Sequence, residues 1–157
     1  MEEVVKKIKE HLELKTPEEC VHVTSFLSYS DPDPPEDVFI RGKLYHYAIE
    51  SLLSQFVEVV ETEKTHIKTF NNLKLCFTPD MIVKLDGKNT LIEIKSTLEK
   101  SLNYAYKQAN IYTFLLQPEI NIDQCYIIDG ALKYKQIQCS PAEGEKILTS
   151  LLKSRLF

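Results

Sequence analysis

The segment Pro79-Asp80-Met81-Ile82-Val83-Lys84-Leu85-Asp86-Gly87-Lys88-Asn89-Thr90-Leu91-Ile92-Glu93-Ile94-Lys95 decides the reading of this chain. Met81 to Leu85 and Thr90 to Lys95 are rich in apolar and β-branched residues, and Asp86-Gly87-Lys88-Asn89 between them carries turn chemistry. The pattern predicts an antiparallel hairpin. With Leu85 facing Thr90 across a four-residue turn, Asp80 lies opposite Lys95, while Glu93 and Lys95 share one face. Asp80 and Glu93 are then diagonal neighbours, about 7–8 Å apart at the backbone.

Two carboxylates at that separation can converge on one divalent cation with a preference for hard oxygen ligands, magnesium or manganese. Leu91-Ile92-Glu93-Ile94-Lys95 is also an apolar strand interrupted on one face by an acid and a base. Buried, such charges must pair, bind metal or reach solvent in a cleft. The alternative on local pattern alone is a half-exposed hairpin face carrying a surface Glu/Lys pair.

Outward from the hairpin, Val57 to Thr62 reads as a strand, and His66 to Phe70 and Leu73 to Phe77 as a second hairpin turned by Asn71-Asn72. Before them, Arg41 to Phe56 has helical spacing, with Tyr45, Ala48, Ile49, Leu52, Leu53 and Phe56 on one face. After them come a helix from Leu98 to Leu116, short strands at Gln124 to Asp129 and Leu132 to Cys139, and a helix from Pro141 to Leu152 capped by Ser140. Glu2 to Leu14 is an amphipathic helix within an N-terminal helical extension (residues 1–20), and Thr16-Pro17-Glu18-Glu19 has the chemistry of a helix start. Ser30-Asp31-Pro32-Asp33-Pro34-Pro35 breaks regular structure.

The chain of 157 residues fits one domain, 1–157, with 43% hydrophobic and 27% charged residues. No apolar run approaches a membrane span, and the charged N-terminus lacks a signal peptide's apolar stretch, so the expectation is an intracellular, cytoplasmic protein, with a prokaryotic or viral origin left open. Cys20, Cys76, Cys125 and Cys139 are widely spaced and are expected to be reduced. The net charge of −4 weighs against a broadly basic nucleic-acid surface. It leaves room for a local one: Lys84, Lys88, Lys95, Lys100 and Lys107 outnumber the acids of the same stretch.

Pro79-Asp80, twelve intervening residues and Glu93-Ile94-Lys95 match the PD-(D/E)XK signature. Gly42-Lys43-Leu44-Tyr45-His46 resembles the GxxxH motif of the RecB-like branch of those nucleases, and Gln108-Ala109-Asn110-Ile111-Tyr112 resembles its QxxxY motif, in the same order along the chain. The likeness spans residues 23–129 and is nearest to the CRISPR-associated RecB-like exonucleases. It implies a restriction-endonuclease-like α/β core, a mixed β-sheet flanked by helices.

The resemblance further implies roles. Asp80 and Glu93 would ligate a catalytic Mg²⁺ or Mn²⁺, joined by the Ile94 carbonyl and His46. Lys95 would orient or deprotonate the attacking water. Gln108 and Tyr112 would contact the nucleic-acid strand. Glu50, one turn beyond His46, reads either as an extra ligand or as a solvated helix residue, while His22 and His66 match no motif.

The implied activity is metal-dependent hydrolysis of DNA, by an exonuclease on single-stranded or frayed ends, with a structure-selective or nicking endonuclease as the alternative. A non-catalytic nucleic-acid- or protein-binding module is the reading from another class. DNA is the implied partner, with self-assembly or a repair or CRISPR-type complex left open. Where the CRISPR-associated group carries iron–sulfur cysteines, this chain has Tyr29-Ser30-Asp31-Pro32-Asp33, so no cluster is expected. The whole reading requires Asp80, Glu93 and Lys95 to meet on one side of the ribbon and the His46 helix to lie on that same side.

Overall fold

The computed structural model describes residues 1–13, 19–27, 35–96 and 98–156. The elements, in chain order, are α1 (Glu2–Leu12), β1 (Val21–His22), α2 (Thr24–Leu27), α3 (Glu36–Leu53), β2 (Glu58–Thr62), β3 (His66–Phe70) and β4 (Leu73–Phe77). They continue with β5 (Met81–Leu85), β6 (Lys88–Ile94), α4 (Leu98–Leu115), β7 (Gln124–Ile128), β8 (Tyr134–Ile137) and α5 (Pro141–Leu156). The expected helix start at Thr16-Pro17, and all of the Ser30–Pro35 breaker but Pro35, lie outside the described residues.

A five-stranded mixed sheet, β2-β5-β6-β7-β8, forms the centre, and a three-stranded sheet, β1-β4-β3, lies apart from it. The chain is thus mixed α/β, with helices flanking mixed sheets. Only β6 and β7 run parallel in the larger sheet. Their connection passes through α4, because parallel neighbours need a long crossover.

Alternation along the strands sorts the helices to opposite faces. Ile82 and Leu91 join the larger apolar cluster with Ala105, Ala109 and Tyr112 of α4. Met81, Val83, Ile92 and Ile94 join a smaller one with Ile49 and Tyr45 of α3. Period-two geometry then turns Glu93 toward the α4 side, with Leu91.

The hairpin register differs from the sequence expectation. Leu85 pairs with Lys88, not Thr90, and the turn is the pair Asp86-Gly87 with φ of 52° and 75°. Two successive left-handed residues make the tight turn whose twist matches the strands, and Asp-Gly suits it. One step beyond the Met81–Ile92 pair, Asp80 stands across from Glu93 instead of Lys95. The two acids are direct neighbours, closer than the diagonal placement anticipated.

The cysteine expectation is also corrected. Cys20 and Cys76 form a disulfide, with Cα atoms 5.6 Å apart. The cause is the short parallel pairing of Val21 with Leu75 and His22 with Cys76, which joins residues far apart in sequence. Cys125 and Cys139 are free.

Ser140 caps α5 as anticipated, its Oγ accepting from the Glu143 amide at 3.1 Å. The helix packs on α4 through Gly144, where a Cβ would lie 1.9 Å from the Asn110 carbonyl oxygen. At Gly42, in the middle of α3, a Cβ would meet nothing within 4 Å. Two substitutions should therefore diverge in urea denaturation: Gly144→Ala loses about 3 kcal/mol or more through overpacking, whereas Gly42→Ala gains up to about 1 kcal/mol.

Candidate metal and phosphodiester site

Four elements deliver the site. The end of β6 supplies Glu93 and Lys95, and the residue before β5 supplies Asp80. The third element, α3, carries His46 and Glu50 one turn apart. The fourth, α4, carries Tyr104, Gln108 and Tyr112. α3 covers the sheet face opposite α4, so the requirement that the His46 helix share the side of Glu93 and Lys95 fails as stated; the helix instead reaches Asp80 around the end of the sheet. Asp80 precedes the first residue of its strand, at the sheet's end, and His46 Nδ1 comes within 3.6 Å of its Oδ1.

Asp80 is held from the strand side as well, since the Ile94 amide donates to its Oδ2 at 2.7 Å. The sequence expectation put the Ile94 carbonyl at the site; the structure shows its amide engaged there. Glu93 is 1% exposed, and its Oε1 is buried without a hydrogen-bond partner. A buried carboxylate oxygen left in that state costs free energy that a cation or a further donor would offset.

Lys95 is half-buried. Its Nζ donates to Gln108 Oε1 at 2.7 Å and sits 4.7 Å from the centre of the Tyr104 ring. Gln108 in turn donates through Nε2 to the Tyr112 hydroxyl at 3.1 Å. The sequence reading placed Gln108 and Tyr112 on the nucleic-acid strand. In the structure Gln108 is 6% and Tyr112 0% exposed, and Tyr112 packs on Phe77. Their helical spacing lines them up behind Lys95, where they fix its ammonium.

Sequence reasoning missed Glu63 and left Glu50 undecided. Glu50 is 7% exposed and its Oε1 also lacks a partner, so the solvated reading is excluded. Glu63 follows β2 with φ of 49°, a left-handed conformation rare outside glycine, and its amide donates to the Asp80 carbonyl at 3.0 Å. Ligand atoms of His46, Glu50, Glu63 and Asp80 all lie within 4.8 Å of one another. The only forward signal for Glu63 was an acid at the end of a predicted strand, which surface turns carry everywhere.

The acids perturb one another. Burial first, then the hydrogen bond and charge of Glu63, push Glu50 up to about 9. Burial first, then the Asp80 charge, raise Glu93 well above the ordinary carboxylate value. Burial pushes Asp80 upward too, but the hydrogen bond and charge of His46, with the charge of Lys95, hold it below that value. Burial and the charges of Glu93 and Asp80 push the Tyr104 phenol up to about 12. Carboxyls pushed up beside one held low form a donor set for a divalent cation, which displaces protons on binding.

Beside these residues opens a cleft of about 570 Å³, with His46, Glu50 and Glu63 on one wall and His11 and Leu12 of α1 on another. Among the described residues no helix is long and apolar enough to cross a membrane.

No protein-family model and no curated protein matches this chain in sequence. Solved structures do match in fold. That of a protein called SSO0001 superposes with a TM-score of 0.65 over 96% of this chain and 83% of the other, at 19% identity. At that identity the likeness concerns the fold.

The raised acids set a pH dependence. A carboxyl with its folded value above its unfolded one favours folding at low pH, and that contribution is lost as pH rises through the folded value. Asp80, shifted down, acts in the opposite sense only in the acid range near and below its ordinary 3.8. The melting temperature in EDTA should therefore fall between about pH 5 and 9. Glu50→Gln should flatten that fall, and magnesium should raise the melting temperature most at the alkaline end.

Proposed function

We propose that the chain is a divalent-metal-dependent nuclease that hydrolyses phosphodiester bonds of DNA, acting as an exonuclease on single-stranded or frayed ends. One observation carries the reading. The directly opposed Asp80 and Glu93, with a buried carboxylate oxygen lacking any partner, stand beside a lysine held in place by Gln108. A solvated Glu/Lys pair on a hairpin would show none of that burial or support.

The residues fit a magnesium or manganese ion: His46, Glu50, Glu63 and Asp80 offer hard or borderline donors within 4.8 Å of one another, and Glu93 adds an unpartnered oxygen on the strand side of Asp80. When bound, such an ion acidifies water and stabilises charge growing on a phosphate. The chain's own groups do the rest. Lys95 places a fixed positive charge next to the two carboxylates, able to hold a water or a phosphate oxygen by hydrogen bonding. Gln108 and Tyr112 hold its ammonium, and Tyr45 donates through its hydroxyl to the Lys95 carbonyl at 3.3 Å. That support keeps the donor from collapsing onto Glu93 when no substrate is present.

End-labelled single-stranded, duplex and circular DNA, each with magnesium, manganese or EDTA, test the reading. Metal-dependent shortening of linear single strands should fall by about 10²-fold or more in Lys95→Ala and Asp80→Ala, as for the loss of one preorganised charge partner. Gln108→Ala should lower the rate about 10–100-fold. Cutting of circles would favour the endonuclease mode, and DNA binding without cleavage in every metal would overturn the enzyme reading. Tyr112→Phe separates support from contact: it should cost about 1 kcal/mol of stability through one lost hydrogen bond and leave DNA affinity unchanged in a filter-binding titration.

A further inference from the structure

We infer that Cys139 and Cys125 form a thiol modification site, where small disulfides with ammonium-bearing arms, of the cystamine type, oxidise the pair to an intramolecular disulfide. None of the carboxylates proposed for the nuclease site takes part, so neither proposal depends on the other.

Two strands and one helix bring the thiols together. Cys125 of β7 pairs with Ile137 of β8, and Cys139 follows two residues further on. Period-two alternation sets both on the side that α4 covers, where they pack with its residues. The two thiols are within hydrogen-bond reach of each other, and the Thr113 hydroxyl of α4 lies 3.5 Å from Cys125 Sγ. Both cysteines are free, whereas Cys20 and Cys76 are already joined. Asn110 clamps the backbone on either side of Cys139. Its Nδ2 donates to the Gln138 carbonyl at 3.1 Å, and its Oδ1 accepts from the Ser140 amide at 2.9 Å. The clamp keeps the Cys139 thiol beside Cys125.

The two thiols differ in access. Cys125 is fully buried, while Cys139 is half-buried and lines a cleft of about 410 Å³. A reagent from solvent therefore meets Cys139 first. The hydrogen bond from Cys125 holds the Cys139 thiol below its ordinary value despite burial. The same bond, with burial, pushes Cys125 up. Cys139 is thus the nucleophile and Cys125 the resolving thiol. Asp123 and Glu143 line the cleft beside Gln124, Gln136 and Gln138, and among the described residues no lysine or arginine does. Two carboxylates repel an anionic reagent such as glutathione disulfide and attract one whose arms end in ammonium groups.

The steps balance. The Cys139 thiolate attacks one sulfur of RS–SR, forming Cys139–S–S–R as the reagent's own S–S bond breaks. RS⁻ leaves and takes up the proton that Cys139 lost. Cys125 then gives up its proton and attacks the Cys139 sulfur, and the second RS⁻ leaves with that proton. The protein thiols are oxidised by two electrons, and RS–SR is reduced to two RSH.

The test is a time course of the full-length protein with cystamine, quenched by alkylation and mapped by mass spectrometry. The wild type should end with a Cys125–Cys139 link. Cys125→Ser should stop at a cysteamine adduct on Cys139, and Cys139→Ser should give neither adduct nor link at Cys125. With each rate taken relative to the urea-unfolded protein, cystamine should modify Cys139 about 10-fold or more faster than glutathione disulfide at low salt. Asp123→Asn combined with Glu143→Gln should bring the two rates together. A wild type whose Cys139 stays unmodified, or keeps an adduct while Cys125 remains a thiol, overturns the redox pair, and this readout holds even if Cys125→Ser fails to fold. Equal relative rates for the two reagents in the wild type overturn the assigned substrate class.

Discussion

The interaction on which the rest of the structure turns is the burial of the Glu93 carboxylate in β6, between the apolar Ile92 and Ile94. An acid sealed into a sheet interior is destabilising by several kcal/mol unless neighbours answer its charge. Every polar group nearby can be read as that answer. Lys95 lies on the same face, Gln108 is drawn inside to hold it, and Tyr112 is drawn inside to hold Gln108. Asp80 is fixed by a strand amide and a histidine instead of by solvent. A hydrophobic residue at position 93 would remove the reason for all of them.

The scaffold supports this cluster from two directions. On one face, α4 delivers the lysine's partners. On the other, α3 packs through Ile49 and Tyr45 and delivers His46 and Glu50 past the end of β5. Tyr45 ties the two together, because its ring lies against Gly130 so closely that a Cβ there would come within 2.8 Å, while its hydroxyl reaches the Lys95 carbonyl. The turn after β7, the helix α3 and the end of β6 therefore meet at one point. Side chains set on regular elements and locked by such contacts keep their geometry better than side chains on loops.

Strand and helix identity were legible because they rest on local periodicity. His66–Phe70 and Leu73–Phe77 match their predicted limits, and α4 differs by a residue at its end. The register of the central hairpin was not legible to within two residues, because Asp86-Gly87-Lys88-Asn89 admits both a two- and a four-residue turn and both keep Glu93 and Lys95 on one face. Asp80, Glu93, Lys95 and His46 were found through motif spacing and do come together. Glu63 was invisible: its role depends on where β2 ends relative to β5, a pairing between strands with another hairpin between them. The same limit hid the Cys20–Cys76 bond. The depth of Gln108 and Tyr112 was not legible, because spacing along a helix tells which residues share a face but not how deeply that face is buried.

The acidity of the chain bears on the choice between enzyme and binding module. A module that holds nucleic acid by its backbone needs cations facing the phosphates. Here the cleft is lined by Glu50, Glu63, Glu10 and Glu13, with Lys43 and two histidines among them. Without a metal ion such a surface repels a phosphate, so simple backbone binding is the function this cleft serves worst. With divalent cations on those carboxylates the sign of the local field reverses, and the groups that repelled the strand become the ones that draw its phosphate in. Under the proposed reading, binding and chemistry then depend on the same ions. The net charge of −4 over the whole chain weighs against a broadly basic nucleic-acid surface, but it does not weigh against the proposed site, where carboxylates are needed to hold the ions.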